Sequence, residues 1–230
     1  VLILAAVLPA AILLVLVYAA DRNKEQAPHV FTLYLVGALV VLPAGLFERA
    51  LLDIYRLTPD AGAGLLATLI TSFFIAGVTE EGLKWLIFRR LVYDSPAFDE
   101  PYDGILYAVA IGLGFATVEN VLYVTSYGWD TALVRAFTAV PAHMMFGVAM
   151  GYAFSRARFE GAAMWPAFVV PALLHGGYDT FALARSLWAN AALILYLVLL
   201  VRFTWVRLLR ARQQSPSVHP AAPALVQRRS

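Results

Sequence analysis

Eight polar residues stand inside long apolar runs of the chain: Glu80, Glu81 and Lys84 in one run, Glu119 and Asn120 in the next, His143 in a third, and His175 with Asp179 in a fourth. A charge at bilayer depth costs roughly 3 kcal/mol on insertion scales, so charges that persist there face the interior of a helix bundle and serve a function. Carboxylates and imidazoles together do acid–base work: the carboxylate takes a proton, the imidazole donates or relays one, and in membranes the same groups also build proton relays. Glu80 and Lys84, four residues apart, share a helix face and can pair. Glu81 lies about 100° further round and is expected to turn away from that pair. His175 and Asp179 are also four apart, so the carboxylate can orient the imidazole and fix its tautomer. Taken singly, each group has a structural explanation: an ion pair that sets helix packing for Glu80 with Lys84, an interhelical hydrogen bond for His143, a helix-end cap for Asp179. Such explanations do not account for the set, because carboxylates and imidazoles gather on four successive helices, more than one lysine can neutralise.

The elements that must hold these residues are membrane helices. Of the 230 residues 61% are hydrophobic and 14% charged, far more apolar than a soluble domain, with a mean hydropathy of +0.74. Cysteine is absent, which excludes disulfides and thiolate chemistry. Hydrophobic runs between charged or Pro/Gly breaks predict an all-α, polytopic bundle of about seven spans: Val1 to Ala20, Val30 to Phe47, Gly62 to Phe88, Gly104 to Tyr127, Ala132 to Phe154, Ala162 to Ala184 and Leu187 to Trp205. The first suits a spanning helix better than a signal peptide, since no basic residue precedes its 20 apolar residues. Glu48 to Asp60 reads as an interfacial helix or a loop. A single membrane domain is expected over 1–210, with the site-bearing helices at about 62–184. The Pro/Ser/Gln-rich stretch 211–230 is expected to be a disordered cytoplasmic tail.

With the N-terminus outside, the inner segments hold twelve arginines and lysines (Arg22, Lys24, Arg89, Arg90, Arg156, Arg158, Arg202, Arg207, Arg210, Arg212, Arg228, Arg229). The outer ones hold four (Arg49, Arg56, Arg135, Arg185). That asymmetry favours N-outside, C-inside.

The strings EEGLK (Glu80 to Lys84), FATVEN (Phe115 to Asn120), HMMFG (His143 to Gly147) and HGGYD (His175 to Asp179), in this order on successive spans, resemble the PrsW-type intramembrane proteases. Their superfamily also holds the CAAX prenyl endopeptidases and a scaffold subunit of gamma-secretase. The resemblance covers about Ile70 to Phe181. It implies a protease of the bacterial cytoplasmic membrane that cleaves a membrane-anchored, single-span protein such as an anti-sigma factor in stress signalling. Its partners are then membrane lipid and that substrate, with no nucleic acid. It carries catalytic roles onto Glu80, Glu81, Glu119, His143 and His175, with Asp179 at the last motif position and Lys84, Phe115 and Asn120 in support.

Peptide hydrolysis needs an activated water, a stabilised oxyanion and a proton for the leaving amine. Two schemes supply them. In a metal-free one, slightly favoured, Glu80 or Glu81 is the base, and His143 or His175 stabilises the oxyanion or donates the proton. In the other, Glu119, His143 and His175 bind zinc with a position open to water, and Glu81 is the base. No cofactor is firmly implied, because the ligands lack the local H-E-x-x-H spacing that signals zinc. Two other classes compete. A proton-coupled transporter is disfavoured by the lack of a repeat between two halves, and a non-catalytic scaffold would not need the Glu80–Glu81 pair.

Overall fold

The computed structural model of the chain describes residues 1–57, 64–184 and 186–215. Those residues form helices and no strand: α1 (Leu2–Ala20), α2 (Ala27–Tyr55), α3 (Gly64–Leu69), a π-helical stretch Ile70–Gly77, α4 (Val78–Leu91), α5 (Pro101–Tyr127), α6 (Trp129–Phe137), α7 (Ala139–Phe159), α8 (Pro166–Leu183) and α9 (Leu187–Gln214). Helices are what a bilayer demands, since only they and closed barrels satisfy every backbone group without water.

α5 is the axis of the bundle. Every residue from Tyr102 to Thr117 is buried, against α1 and α2 on one side and α7 on the other. Lipid is as apolar as leucine, so packing rather than water exclusion holds such helices together, and small residues let backbones approach. At Gly114 the approach is extreme: a Cβ there would lie 1.9 Å from the carbonyl oxygen of Tyr34 on α2. The outer helices show the opposite pattern. α1 buries Ala6, Ala10 and Val17 and turns Leu8, Ile12, Val15 and Leu16 outward, as α9 does with Ile194, Leu195, Val198 and Leu199. These outward rows are the lipid-facing surface.

Among the described residues, six helices are long and apolar enough to cross a membrane: Leu2–Ala20, Ala27–Tyr55, the continuous run Gly64–Leu91, Pro101–Tyr127, Trp129–Phe159 and Leu187–Gln214. The expected seventh, Ala162 to Ala184, is present as α8, but its 18 residues fall outside that set. The cause is its content of His175, Gly176, Gly177 and Asp179, polar or small groups that lower its mean apolarity. The segment from Glu48, read as an interfacial helix or a loop, is instead the continuation of α2 to Tyr55; the rest of it, 58–60, lies outside the described residues. His29, read as a loop residue, is in the first turn of α2 with its ring edge-on to Tyr107. α9 continues through the boundary drawn at 211 and ends at Gln214, and Ser215 Oγ accepts from the amide of Tyr102. The remainder of the expected tail, 216–230, and Arg185 also lie outside the described residues.

Hydrogen bonds fix which helix ends lie together. Gln214 reaches Glu160, Ser215 reaches Tyr102, Ser155 reaches the carbonyl of Pro101, and Asn23 reaches Glu100. The C-terminal ends of α1, α7 and α9 therefore share one end of the bundle with the start of α5.

Candidate active site

Four elements bring the polar residues together towards the other end. The π-helical stretch feeds α4, whose first turn carries Glu80 and Glu81. Wide turns of this kind are rare and concentrate at functional sites. Here the wide turn meets α8 at a contact made by glycines: a Cβ on Gly77 would sit 2.7 Å from the carbonyl oxygen of Ala172, and one on Gly176 would sit 2.8 Å from Cα of Phe73. That closeness sets His175 beside Glu81. On the far side, the start of α7 places His143 against α5, where Gly112 faces the His143 carbonyl.

The result is a compact buried cluster. Glu80, Glu81, His143 and His175 each offer a ligand atom within 4.8 Å of the others, and all four are at most 5% exposed. Lys84 lies among them, 2% exposed. Its Nζ is 2.8 Å from Glu81 Oε1, 3.1 Å from Glu80 Oε2 and 3.3 Å from His143 Nδ1, and 3.9 Å above the centre of the Phe115 ring. Glu81 is thus not turned away from the Glu80–Lys84 pair, as helical spacing suggested. The flexible lysine stem lets one ammonium reach the carboxylates three and four residues back.

Proton bookkeeping follows from the partners. An ammonium can only donate, so Nδ1 of His143 accepts from Lys84, and Nε2 carries the hydrogen that goes to Glu119 Oε2 at 2.9 Å. His175 has a carboxylate at each nitrogen: Glu81 Oε1 at 3.1 Å from Nδ1 and Asp179 Oδ2 at 3.4 Å from Nε2. The predicted pairing of His175 with Asp179 is therefore present, and Phe146 of the HMMFG string stacks on the His175 ring with centroids 4.9 Å apart.

Glu119 joins the cluster only through His143. Its stronger partner is Arg135, at 2.8 Å, which also donates from Nε to Asn120 Oδ1 and lies over the Tyr123 ring. Asn120 is turned from the cluster and donates to the carbonyl of Ala6 on α1. Two residues of this region escaped the sequence reading. Arg135, counted as an outer-loop charge, faces inward from the amphipathic α6. Glu48 sits on α2 with Oε1 buried and unpartnered, within electrostatic reach of Glu80, Glu119, His175 and Asp179. Glu48 had a signal, being the first charge after the apolar run of α2. Arg135 had none, because an arginine on an amphipathic helix reads as solvated.

By donor type the cluster suits zinc, with two imidazoles and two carboxylates in reach of one another. It differs from the set expected for a metal, since Glu80 and Glu81, rather than Glu119, stand with the two histidines. Lys84 also sits against three of the four donors.

Six long apolar helices among the described residues, with buried acids and imidazoles converging between helices, define a polytopic integral membrane protein. A profile described as PrsW family intramembrane metalloprotease matches residues 25–206. Among relatives, the protease PrsW of Geobacillus kaustophilus (strain HTA426) is 35% identical over 227 residues, 96% of this chain and 95% of that protein. That of Bacillus subtilis (strain 168) is 35% identical over 221 residues, 94% and 95%. That of Clostridioides difficile (strain 630) is 32% identical over 228 residues, 94% of each. No solved structure matches. The chain belongs to the PrsW family of intramembrane proteases and is an integral protein of a bacterial membrane.

Proposed function

We propose that the chain hydrolyses a peptide bond of a single-span, membrane-anchored protein of the anti-sigma-factor kind, with Glu80 as the general base. The observation that carries this is the buried convergence of Glu80, Glu81, His143 and His175. Glu81 is held at short range by both Lys84 and His175, at 2.8 and 3.1 Å. Glu80 meets Lys84 at 3.1 Å and His175 only at 3.8 Å, so Glu80 is the freer carboxylate. It takes a proton from water as the oxygen attacks the scissile carbonyl carbon. The negative charge that develops on the carbonyl oxygen is met by the Lys84 ammonium, fixed in place by Glu81 and His143. His175, aligned between Glu81 and Asp179, gives its proton to the departing amide nitrogen as the C–N bond breaks, and the proton that Glu80 took from water passes to His175, restoring both groups. Glu119 and Arg135 hold His143 in its tautomer.

A second reading keeps the same residues around a metal, and the four-donor cluster and the family description support it. His143, His175 and a carboxylate from Glu80, Glu81 or Glu119 would hold zinc, which supplies an acidified water and a Lewis acid.

The test is cleavage of a panel of single-span substrates by purified protein, with metal content measured alongside. Glu80→Gln is expected to lower kcat by about 1,000-fold while leaving thermal stability in detergent near that of wild type. Wild type is expected to stay active at substoichiometric zinc. Full activity in Glu80→Gln removes Glu80 as the base, and activity lost on chelation and restored by one zinc per chain selects the metal reading.

A further inference from the structure

At the end of the bundle where α9 ends, a second group of carboxylates gathers that the proposed hydrolytic site does not use. Asp21 and Glu25 come from the α1–α2 connection, Asp99 and Glu100 from the segment before α5, and Asp103 from the first turn of α5. Asp103 lies sixteen residues from Glu119 on the same helix, about 24 Å along its axis, so the two centres are separate. One oxygen from each of Glu25, Asp99 and Asp103 lies within 4.8 Å of the other two.

Helix capping explains part of this. Asp103 Oδ2 accepts the amides of Asp99 and Glu100 at 3.1 and 2.8 Å and completes a capping box with Glu100. Capping leaves the rest unexplained. Asp103 is fully buried, yet its Oδ1 has no hydrogen-bond donor. Oε1 of Glu100 and Oδ2 of Asp21, both on residues 4% exposed, have none either. Among the described residues none of the five carboxylates is in an ion pair. Of the two cations nearest in sequence, Lys24 spends its ammonium on the carbonyls of Tyr18, Ala19 and Asp21, and Arg22 is exposed. Buried acceptors without donors are costly, and carboxylates gathered without a cation repel one another.

We propose that Glu25, Asp99 and Asp103 bind a hard divalent cation, calcium or magnesium. An all-oxygen donor set selects such ions over zinc. Oxygens on opposite sides of a calcium-sized ion lie about 5 Å apart, so the spacing admits that ion as it stands. Asp99 is exposed and Glu25 half-buried, which leaves room for the waters that complete the shell. Tyr107 supports the site by donating its single hydroxyl hydrogen to Glu25 Oε2 at 2.5 Å, with the carbonyl oxygen of Ala97 2.9 Å away as the alternative acceptor. A cation here ties the α1–α2 connection to the start of α5, the axis of the fold.

The test uses the full chain in detergent, stripped with chelator, and reads binding rather than cleavage. Terbium is the probe, because Tyr107 beside Glu25 can sensitise its luminescence. Wild type is expected to light up, calcium or magnesium to quench by displacement, and whichever displaces at lower concentration is the preferred ion. Millimolar amounts of that ion are expected to raise the melting temperature by about 3 °C. The pair Glu25→Gln with Asp99→Asn removes two ligands outside the buried cap and is expected to weaken both responses roughly tenfold or more. His143→Ala with His175→Ala is expected to leave the luminescence unchanged. Either of two results overturns the proposal: no luminescence and no melting shift in wild type, or responses that survive the Glu25/Asp99 changes.

Discussion

The clustered side chains Glu80, Glu81, His143 and His175 are held by a few neighbours that fix their protons and charges, and Arg135 is the neighbour easiest to isolate. It faces Glu119 with 13% and 18% of the two side chains exposed, so neither charge is well solvated. Arg135→Leu leaves Glu119 buried without its cation, a loss expected to cost about 3–5 kcal/mol, visible as a lower melting temperature in detergent, together with loss of cleavage. Adding Glu119→Gln removes the stranded charge and is expected to restore most of the stability but not the activity, because His143 then loses the carboxylate that fixes its tautomer. If the double variant is no more stable than the single one, the pair does not act as a coupled unit. Lys84 offers a parallel test. Lys84→Met keeps an unbranched side chain but removes the ammonium that lies between Glu80 and Glu81 and over the Phe115 ring. Cleavage is expected to fall by at least about 100-fold, measured as kcat on the same substrates; unchanged kcat removes Lys84 from oxyanion stabilisation.

At the scale of elements, the site depends on how closely α8 can approach the π-helical stretch. Gly176 faces Phe73 so tightly that a Cβ would lie 2.4 Å from its ring and 2.8 Å from its Cα. Gly176→Val is expected to push α8 outward, cost about 1–3 kcal/mol through overpacking and separate His175 from Glu81. A variant that binds substrate with unchanged KM but loses kcat fits this account; unchanged kcat refutes it. Much of this layout was legible in the sequence, because the charges in apolar runs mark which helices face inward: Glu80, Glu119, His143 and His175 stand on α4, α5, α7 and α8 as expected. The π-helical turn was not legible. The run ITSFFIAG carries no Pro and no charge, so its apolar pattern reads the same for either winding. Arg135 and Glu48 were missed for a related reason, since hydropathy reports that a residue is polar and not which neighbour it faces.

For the whole molecule, the helix ends decide how many times the chain crosses. Glu160, at the end of α7, bonds to Gln214 at the end of α9, so α8 must run from that end to the other for α9 to return. Its 18 residues span about 27 Å, close to the roughly 30 Å of a hydrocarbon core. α8 falls short of the other six in apolarity alone, and its polar groups face His143 and Glu81 rather than lipid, which removes the penalty that hydropathy assigns to them. The placement of Arg135 against Glu119 also withdraws one of the four arginines counted in the outer loops, which sharpens the basic-residue asymmetry from which an outside N-terminus is expected. Absence of cysteine makes the test direct: Glu160→Cys and Leu187→Cys, at the two ends of α8 and both exposed, are labelled in intact cells with a membrane-impermeant maleimide. Seven crossings with the N-terminus outside predict that Leu187→Cys reacts in intact cells and Glu160→Cys only after permeabilisation. Equal reactivity of the two from one side means that α8 does not cross, and the opposite pattern means that the chain crosses seven times with its N-terminus inside.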